Sequence, residues 1–200
     1  MIDNKHLKNA SKYKSLFSKN KPYPNLVLDG FFDSKYLSSI RNSLGSENFT
    51  HKDSDLFEFY QTDDLASSKI PQLSEFRKYL LSDEAINFME ELSGVKLDRK
   101  KISIHATLYT DTHYLLCHDD QLDDRRLAIM IYLSDLDEKN GGKLVLYDSK
   151  GKKPANVKVS ITPKFNRFAI FKIGEKSFHE VTEVLGNKPR LAIGWWYYDK

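Results

Sequence analysis

The chain has 200 residues, of which 40% are hydrophobic and 30% charged, and its formal net charge is +3. This length suits one domain with a single core, and the composition indicates neither a disordered chain nor a membrane protein. No apolar run approaches the ~20 residues that span a bilayer, the N-terminus lacks the apolar core of a signal peptide, and the scattered charge predicts no nucleic-acid surface. The single cysteine, Cys117, excludes an internal disulfide, so we expect a cytoplasmic protein.

The first half of the sequence is expected to give mainly helical support. Residues 1–20 are rich in Lys, Ser and Asn and predict either a short surface helix or a loose lead-in, which the support at 21–100 follows. Apolar spacing, capping residues and breakers predict these elements: a strand and turn at 25–32, a helix from Asp33 to about Leu44, a strand at 56–61, and a helix pair or one kinked helix at 71–92, ended by Gly94.

From residue 101 the pattern changes to short strands separated by turns. Apolar and polar residues alternate from 102 to 109, as in a half-buried strand. The further strand candidates are 114–118, 126–133, 143–147, 157–161, 167–173, 178–184 and 190–197. Such a series predicts a barrel or jelly roll with helices packed outside, so we expect one domain over 1–200 with a β core at 101–198. The glycine-rich stretch 139–142 predicts a hairpin or loop.

Three candidate metal ligands stand at the ends of predicted strands. His118 and Asp120 are spaced i and i+2, which places both side chains on one side of an extended backbone. His179, in a second apolar stretch, supplies a third donor. Two histidines and one carboxylate form the facial triad of non-haem Fe(II) oxygenases. Asp119 is the rival carboxylate, and strand parity favours Asp120.

Other polar and aromatic residues have secondary interpretations. Arg190 could form a bidentate link with an anionic cosubstrate. Tyr109 and Tyr132, judged alone, are core aromatics, although a buried tyrosine hydroxyl requires a partner. The histidines at positions 6, 51 and 113 are interpreted as ordinary surface or core residues. Polar residues that flank the motifs are candidates for the substrate entrance: Gln61, Asp63, Asp64, Asp123 and Arg125.

Several motifs together point to one family. They are DLFEFYQTDDL at 55–65, LLCHDD at 115–120, GGKLVLY at 141–147, SFHEV at 177–181 and RLAI at 190–193. With these motifs, the chain resembles the Fe(II)- and 2-oxoglutarate-dependent prolyl hydroxylases that modify a small-subunit ribosomal protein. The resemblance runs from about residue 25 to residue 197, covers the catalytic domain, and implies a double-stranded β-helix fold.

The resemblance also implies site residues, cofactors and partners. His118, Asp120 and His179 would hold Fe(II), Arg190 would bind the distal carboxylate of 2-oxoglutarate, and the tyrosines at 109 and 132 would be further cosubstrate contacts. The implied reaction is an O2-dependent hydroxylation of a prolyl residue, with ascorbate as a stimulant. The partner would be a proline-containing protein or peptide, either a ribosomal protein or an elongation factor, the latter modified by similar single-domain bacterial relatives. We expect no membrane partner and no direct nucleic-acid ligand.

Two features depart from the family pattern. Ala192 stands where relatives commonly have a serine that helps to bind the cosubstrate carboxylate. Eukaryotic members also carry a second, non-catalytic β-helix domain after the catalytic one. The alternative functions are an oxygenase of a free amino acid, small molecule or nucleic-acid base, and a non-catalytic metal-binding barrel.

Overall fold

The computed structural model describes residues 1–122 and 124–200, which form helices packed against one curled antiparallel sheet. The helices are α1 Asn4–Leu7, α2 Ala10–Lys19, α3 Ser34–Ser43, α4 Pro71–Leu80 and α5 Asp83–Ser93. Short 3-10 turns span Leu44–Ser46 and Glu138–Asn140. The strands are β1 Asn25–Asp29, β2 Phe49–Ser54, β3 Phe57–Thr62, β4 Leu97–Tyr109, β5 Tyr114–His118, β6 Arg125–Tyr132, β7 Leu144–Lys150, β8 Lys153–Ile161, β9 Arg167–Lys172, β10 His179–Val181 and β11 Arg190–Asp199.

Local capping interactions set the bounds of the helices. The carboxylate of Asp33 accepts a hydrogen bond from the amide of Tyr36 at 2.8 Å and starts α3. Ser82 caps α5 in the same way through Ala85, so the stretch 71–92 is a helix pair and not one kinked helix. Gly94, with φ of +70°, ends α5 in the left-handed conformation that glycine adopts without steric cost.

The N-terminal half agrees only in part with the sequence prediction. Of the two alternatives for residues 1–20, the structure has the helical one, since α1 and α2 occupy this stretch; it has no loose lead-in there, and Phe17 of α2 is buried in the core. The prediction that residues 21–100 give mainly helical support is incomplete, because this stretch also contains β1, β2, β3 and the start of β4. Strand β2 had no apolar signal, since all its residues after Phe49 are exposed.

The sheet folds into two facing halves. One half has the order β9-β6-β11-β4 and the other β5-β10-β7-β8, and β3 joins them because it pairs with β4 and with β5. From β4 to β11 the chain passes repeatedly between the halves, which is the topology of a double-stranded β-helix. The expected fold is therefore confirmed. The stretch 139–142 is a loop and not a hairpin, since β6 and β7 are not neighbours in the sheet.

Side-chain alternation along β11 separates the core from the interior of the β-helix. Trp195 points outward and packs against Phe76 of α4 and Phe168 of β9. Ala192 faces inward, where a smaller apolar cluster includes Tyr132. The outer cluster joins helices and sheet in one core, while the organisation of residues 1–200 as one domain stays a prediction. None of the described helices is long and apolar enough to cross a membrane.

Candidate active site

The two histidines and the carboxylate predicted as ligands converge at one end of the β-helix. Ligand atoms of His118, Asp120 and His179 lie within 4.8 Å of one another. His118 ends β5 and is paired with His179, the first residue of β10, so the imidazole centroids are 4.2 Å apart. Nε2 of His118 lies 3.5 Å from Oδ1 of Asp120, and Nε2 of His179 lies 3.6 Å from Oδ2.

Asp120 reaches this position through a turn and not through strand parity. Strand β5 ends at His118, and Asp120 has a left-handed φ of +60°. Nε1 of Trp196 donates a hydrogen bond to Oδ2 of Asp120 at 2.8 Å, which orients the carboxylate. The rival carboxylate of Asp119 instead accepts hydrogen bonds from the amide and side chain of Gln121. The structure thus favours the expected aspartate for a different reason.

Backbone carbonyls orient both imidazoles. Nδ1 of His118 lies 2.8 Å from the carbonyl oxygen of Leu116, and Nδ1 of His179 lies 2.8 Å from that of Ser177. A neutral imidazole that donates from Nδ1 keeps the lone pair of Nε2 available to a metal. In both residues, Nε2 is the atom that faces Asp120.

The pKa shifts of the three candidate ligands are compatible with a metal site. Burial alone would raise the pKa of the Asp120 carboxyl, but the hydrogen bond from His118 and the nearby imidazole charges hold it well below its usual range. Burial lowers the pKa of His179 to about 4, so this imidazole is neutral at physiological pH. Burial also lowers the pKa of His118, yet the hydrogen bond and charge of Asp120 outweigh it and the net shift is upward. The two nitrogens and the carboxylate fit Fe(II).

Arg190 is the only lysine or arginine that is fully buried among the described residues, and its guanidinium has no carboxylate partner there. Its Nε donates to the carbonyl oxygen of Gly142 at 2.9 Å, and its Nη2 contacts the sulfur of Met130 at 3.1 Å. The aromatic rings of Tyr109 and Tyr132 lie 4.9 and 5.2 Å from the guanidinium carbon. Nη1 of Arg190 and the hydroxyl of Tyr132 have no hydrogen-bond partner among the described residues.

These orphaned donors fit a carboxylate. A buried guanidinium without a counter-ion is costly, and a carboxylate accepts two parallel hydrogen bonds from one guanidinium. Burial raises the pKa of Tyr109 and of Tyr132 against the opposing charge of Arg190, so both phenols keep their protons. Ala192 is fully buried beside Tyr132 in the ladder and adds no polar atom. The residues present therefore suit one end of a dicarboxylate such as 2-oxoglutarate.

A cavity of about 390 Å³ lies beside the three candidate metal ligands. His118, Asp120 and His179 are in its wall, and so are Tyr109 and Met130, which contact the guanidinium of Arg190. Most of the remaining wall is apolar and aromatic, with these contributors: Phe57, Phe59, Leu115, Phe171, Val181 and Trp196. An apolar lining with a few convergent polar groups is typical of a small-molecule or catalytic site.

The residues proposed for the substrate entrance separate into three groups. Gln61 and Arg125 line the cavity, and Nη1 of Arg125 lies 3.6 Å from Oδ1 of Asp120. Asp63 is exposed and Asp64 accepts hydrogen bonds from backbone amides, and neither lies in the cavity wall. Asp123 is outside the described residues.

Sequence reasoning missed Trp196 and Met130 as site residues. Trp196 donates to Asp120 and also packs its ring against the guanidinium of Arg125 at 4.4 Å. The signal was present in strand parity, because Trp196 lies six residues after Arg190 on the same face of β11. Met130 likewise shares a face of β6 with Tyr132.

Known proteins resemble this chain in sequence and fold. Prolyl 3-hydroxylase OGFOD1 from Mus musculus is 35% identical over 181 residues, covering 88% of this chain and 33% of the mouse protein. Prolyl 3,4-dihydroxylase OGFOD1 from Ostreococcus tauri is 32% identical over 197 residues, covering 90% of this chain and 38% of the algal protein. This chain therefore spans about a third of the length of these curated relatives.

A solved structure supports the fold at lower sequence identity. The prolyl hydroxylase of Trichoplax adhaerens, in complex with a hypoxia-inducible factor oxygen degradation domain peptide fragment, superposes with a TM-score of 0.77 at 16% identity. The match covers 98% of this chain and 91% of that one. The family model described as the 2OG-Fe(II) oxygenase superfamily matches residues 104–198, which include all three candidate ligands and Arg190. This part of the chain therefore carries a 2OG-Fe(II) oxygenase domain.

Proposed function

We propose that this chain hydroxylates a prolyl residue of a protein, using Fe(II), 2-oxoglutarate and O2. The observation that carries the proposal is the pairing of a convergent His–Asp–His cluster with a buried arginine that lacks an anionic partner among the described residues. A non-catalytic barrel has no need for a buried, uncompensated cation in its interior. The similar proteins indicate the substrate class, because each is named as a prolyl hydroxylase.

The chain's own residues would hold both groups. His118, Asp120 and His179 would ligate iron through Nε2, a carboxylate oxygen and Nε2, and Arg190 with Tyr132 would bind the distal carboxylate of 2-oxoglutarate. When bound, iron and 2-oxoglutarate supply the oxidising chemistry that places one oxygen atom of O2 in a substrate C–H bond and the other in succinate, with release of CO2.

The remaining residues would position the substrate and exclude water. Aromatic and aliphatic side chains along β3, β5 and β10 form an apolar wall that suits a pyrrolidine ring. The Arg125 guanidinium is held between Asp120 and the ring of Trp196, at the same cavity. Because Arg125 lines the cavity, its guanidinium would offer a polar contact to a peptide carbonyl of the substrate. Gln61 offers a second polar contact in the wall.

Further details complete the proposal. The hydroxylated carbon is C3, because the mouse relative is named a prolyl 3-hydroxylase, with a second hydroxylation at C4 as the variation that the algal name indicates. The target is a translation component, either a ribosomal protein or an elongation factor, as the sequence motifs suggest. The protein would work in the cytoplasm, where a half-buried free Cys117 stays reduced, and ascorbate would stimulate turnover.

The test is turnover on proline-containing proteins and peptides. The chain would be incubated with Fe(II), 2-oxoglutarate, air and either ribosomal proteins or elongation factor, followed by peptide mass spectrometry and a succinate assay. We expect a mass gain of one oxygen atom on a proline, matched by succinate, and no gain with His179→Ala. Hydroxylation of free proline alone would favour the small-molecule alternative. Binding of iron and 2-oxoglutarate without turnover on any substrate would favour the non-catalytic barrel.

A further inference from the structure

A second group of metal-binding side chains lies outside the cavity. His51 of β2, Glu58 of β3 and His113 of the turn before β5 bring ligand atoms within 4.8 Å of one another. They share no sequence motif, since 55 residues separate Glu58 from His113 along the chain. We propose that they form a second divalent metal site, of the class that binds Zn²⁺.

The sheet places the three side chains on one surface. His51 is paired with Tyr60 across the β2–β3 ladder, and Asp53 is paired with Glu58, so all four side chains lie on the same face of the hairpin. His113 approaches this face from the turn that links β4 and β5. The ring of Tyr60 lies 5.0 Å from the imidazole of His51 and 5.4 Å from that of His113, and packs beside both.

The distances between the three side chains are those that one bound metal ion requires. Both imidazoles direct Nε2 at the same oxygen of Glu58, at 3.2 Å from His51 and 3.6 Å from His113. The longer distance exceeds a normal hydrogen bond. It agrees with the separation of two ligands on one tetrahedral zinc ion, about 3.4 Å for bonds of about 2.1 Å. Two imidazoles and one carboxylate also match the ligand types that zinc prefers.

His113 is preorganised for this role. Its imidazole is buried, with 6% of the residue exposed, and its backbone accepts a hydrogen bond from Val184 and donates one to Thr110. The hydroxyl of Thr110 lies 3.2 Å from Nε2 and is the neutral partner of the imidazole when no metal is bound. His51 and Glu58 are more exposed and can adjust, so a metal can enter from solvent and keep a water molecule as its fourth ligand.

A metal bound by these three side chains would stabilise the position of β3, which forms one wall of the cavity. The residues Phe57, Phe59 and Gln61 of β3 line the cavity, while Glu58 and Tyr60 between them face the metal cluster. Strand β3 is paired with β4 at two residues and with β5 at two residues, so its link to the rest of the sheet beyond β2 is short. A metal that bridges the hairpin and the β4–β5 turn would add a cross-link at this point.

The test removes ligands of the candidate iron site and measures metal binding at the second site. In the full chain with His118→Ala and Asp120→Ala, we expect equilibrium dialysis to show about one bound Zn²⁺ per chain and Co²⁺ to give a visible ligand-field spectrum. Adding His51→Gln should weaken Zn²⁺ binding by more than the roughly 10–100-fold that loss of an outer partner of a ligand causes. His51 is exposed, so this change should leave the fold intact. The matched control is His105→Gln, because His105 lies 4.0 Å from one carboxylate, that of Asp64, and belongs to no group of three ligands among residues 1–122 and 124–200.

Two results would overturn the proposal. One is the absence of Zn²⁺ binding in the double variant when circular dichroism shows that it is folded. The other is Zn²⁺ binding of equal strength after His51→Gln. A second measurement is independent of stoichiometry: Zn²⁺ should slow amide hydrogen exchange in β3 of the double variant, and His51→Gln should abolish that protection. Neither measurement depends on whether the chain hydroxylates proline.

Discussion

The indole N–H of Trp196 donates to the carboxylate of Asp120 at 2.8 Å and links the last strand of the sheet to the candidate metal ligands. Asp120 lies in a turn with positive φ, where the backbone alone does not hold the carboxylate in one orientation. The tryptophan therefore performs the orienting role that outer hydrogen-bond partners play in metal sites.

Trp196→Phe should weaken iron binding while leaving the ring contact with Arg125 largely in place. Because the outer hydrogen bond is lost, we expect about a 10–100-fold loss of Fe(II) affinity, measured by anaerobic titration. The matched control is Trp195→Phe, on the opposite face of β11 in the helix-packed core. That variant should lose roughly 0.5–3 kcal/mol of unfolding free energy without a change in iron affinity. Equal iron affinity in native and Trp196→Phe protein would contradict the orienting role.

Separate substitution of Asp119 and Asp120 should show which of the two aspartates is the metal ligand. Asp120→Ala should abolish stable Fe(II) binding and turnover, because two imidazoles hold the ion poorly. Asp119→Ala should leave iron binding largely intact, because the carboxylate of Asp119 is engaged with Gln121. Iron titration of both variants decides, and a metal-free Asp119→Ala protein would show that the ligand assignment is wrong.

Arg190→Met should weaken 2-oxoglutarate binding without lowering the stability of the apo protein. Without the guanidinium, the distal carboxylate of 2-oxoglutarate is left buried and unpaired, a loss of about 3–5 kcal/mol, or on the order of several hundredfold or more in affinity. The apo protein should be as stable as the native chain or more so, because a buried cation with no carboxylate partner among the described residues is replaced by an apolar side chain of similar length. The measurements are the metal-to-ligand charge-transfer band of the anaerobic chelate and thermal unfolding. A strongly destabilised apo variant would contradict the second expectation.

Gly142→Ala should displace Arg190. A Cβ on Gly142 would lie 2.9 Å from Cδ1 of Leu136, 3.1 Å from Cγ2 of Val184 and 3.2 Å from Cδ of Arg190, at a φ of +62°. We expect a loss of about 1–2 kcal/mol from the backbone and about 1–3 kcal/mol from overpacking, together with weaker 2-oxoglutarate binding.

Gly186→Ala isolates the backbone contribution to this effect. Gly186 has a φ of +80°, and nothing lies within 4 Å of an added Cβ. Urea unfolding should therefore show the backbone loss alone, with unchanged 2-oxoglutarate affinity. Similar losses in both variants would show that the packing around Arg190 tolerates the added methyl group.

Iron affinity should rise with pH through the titration of His118. Although burial lowers its pKa, the hydrogen bond and charge of Asp120 raise it above the ordinary value, so below that pKa a proton must leave before a metal can bind. The Asp120 carboxyl, with a lowered pKa, stays ionised over the same range. We expect about a tenfold loss of apparent affinity per pH unit on the acidic side. Calorimetry in two buffers of different ionisation enthalpy should count one proton released there, and no release would contradict the assignment.

Local patterns in the sequence determined the strands of the β-helix and the residues at their ends. Period-two alternation marked residues 102–109 as a half-buried strand, and Asp33 and Gly94 marked the start of α3 and the end of α5. The same patterns missed β2, whose residues after Phe49 are polar and exposed, so no apolar face marked it as a strand. They also left open whether residues 1–20 were helical, because burial of Phe17 depends on packing against distant residues.

Only the tertiary structure decided which side chains meet. The choice of Asp120 over Asp119 rests on a turn and on Trp196, 76 residues away, and not on the strand parity that suggested it. The cluster of His51, Glu58 and His113 was invisible for the same reason, since each residue alone was an ordinary polar side chain. A short-range pattern reports which way a side chain faces. The distance between two side chains depends on strand pairing between segments far apart in the chain, and that pairing is set by the packing of the whole sheet.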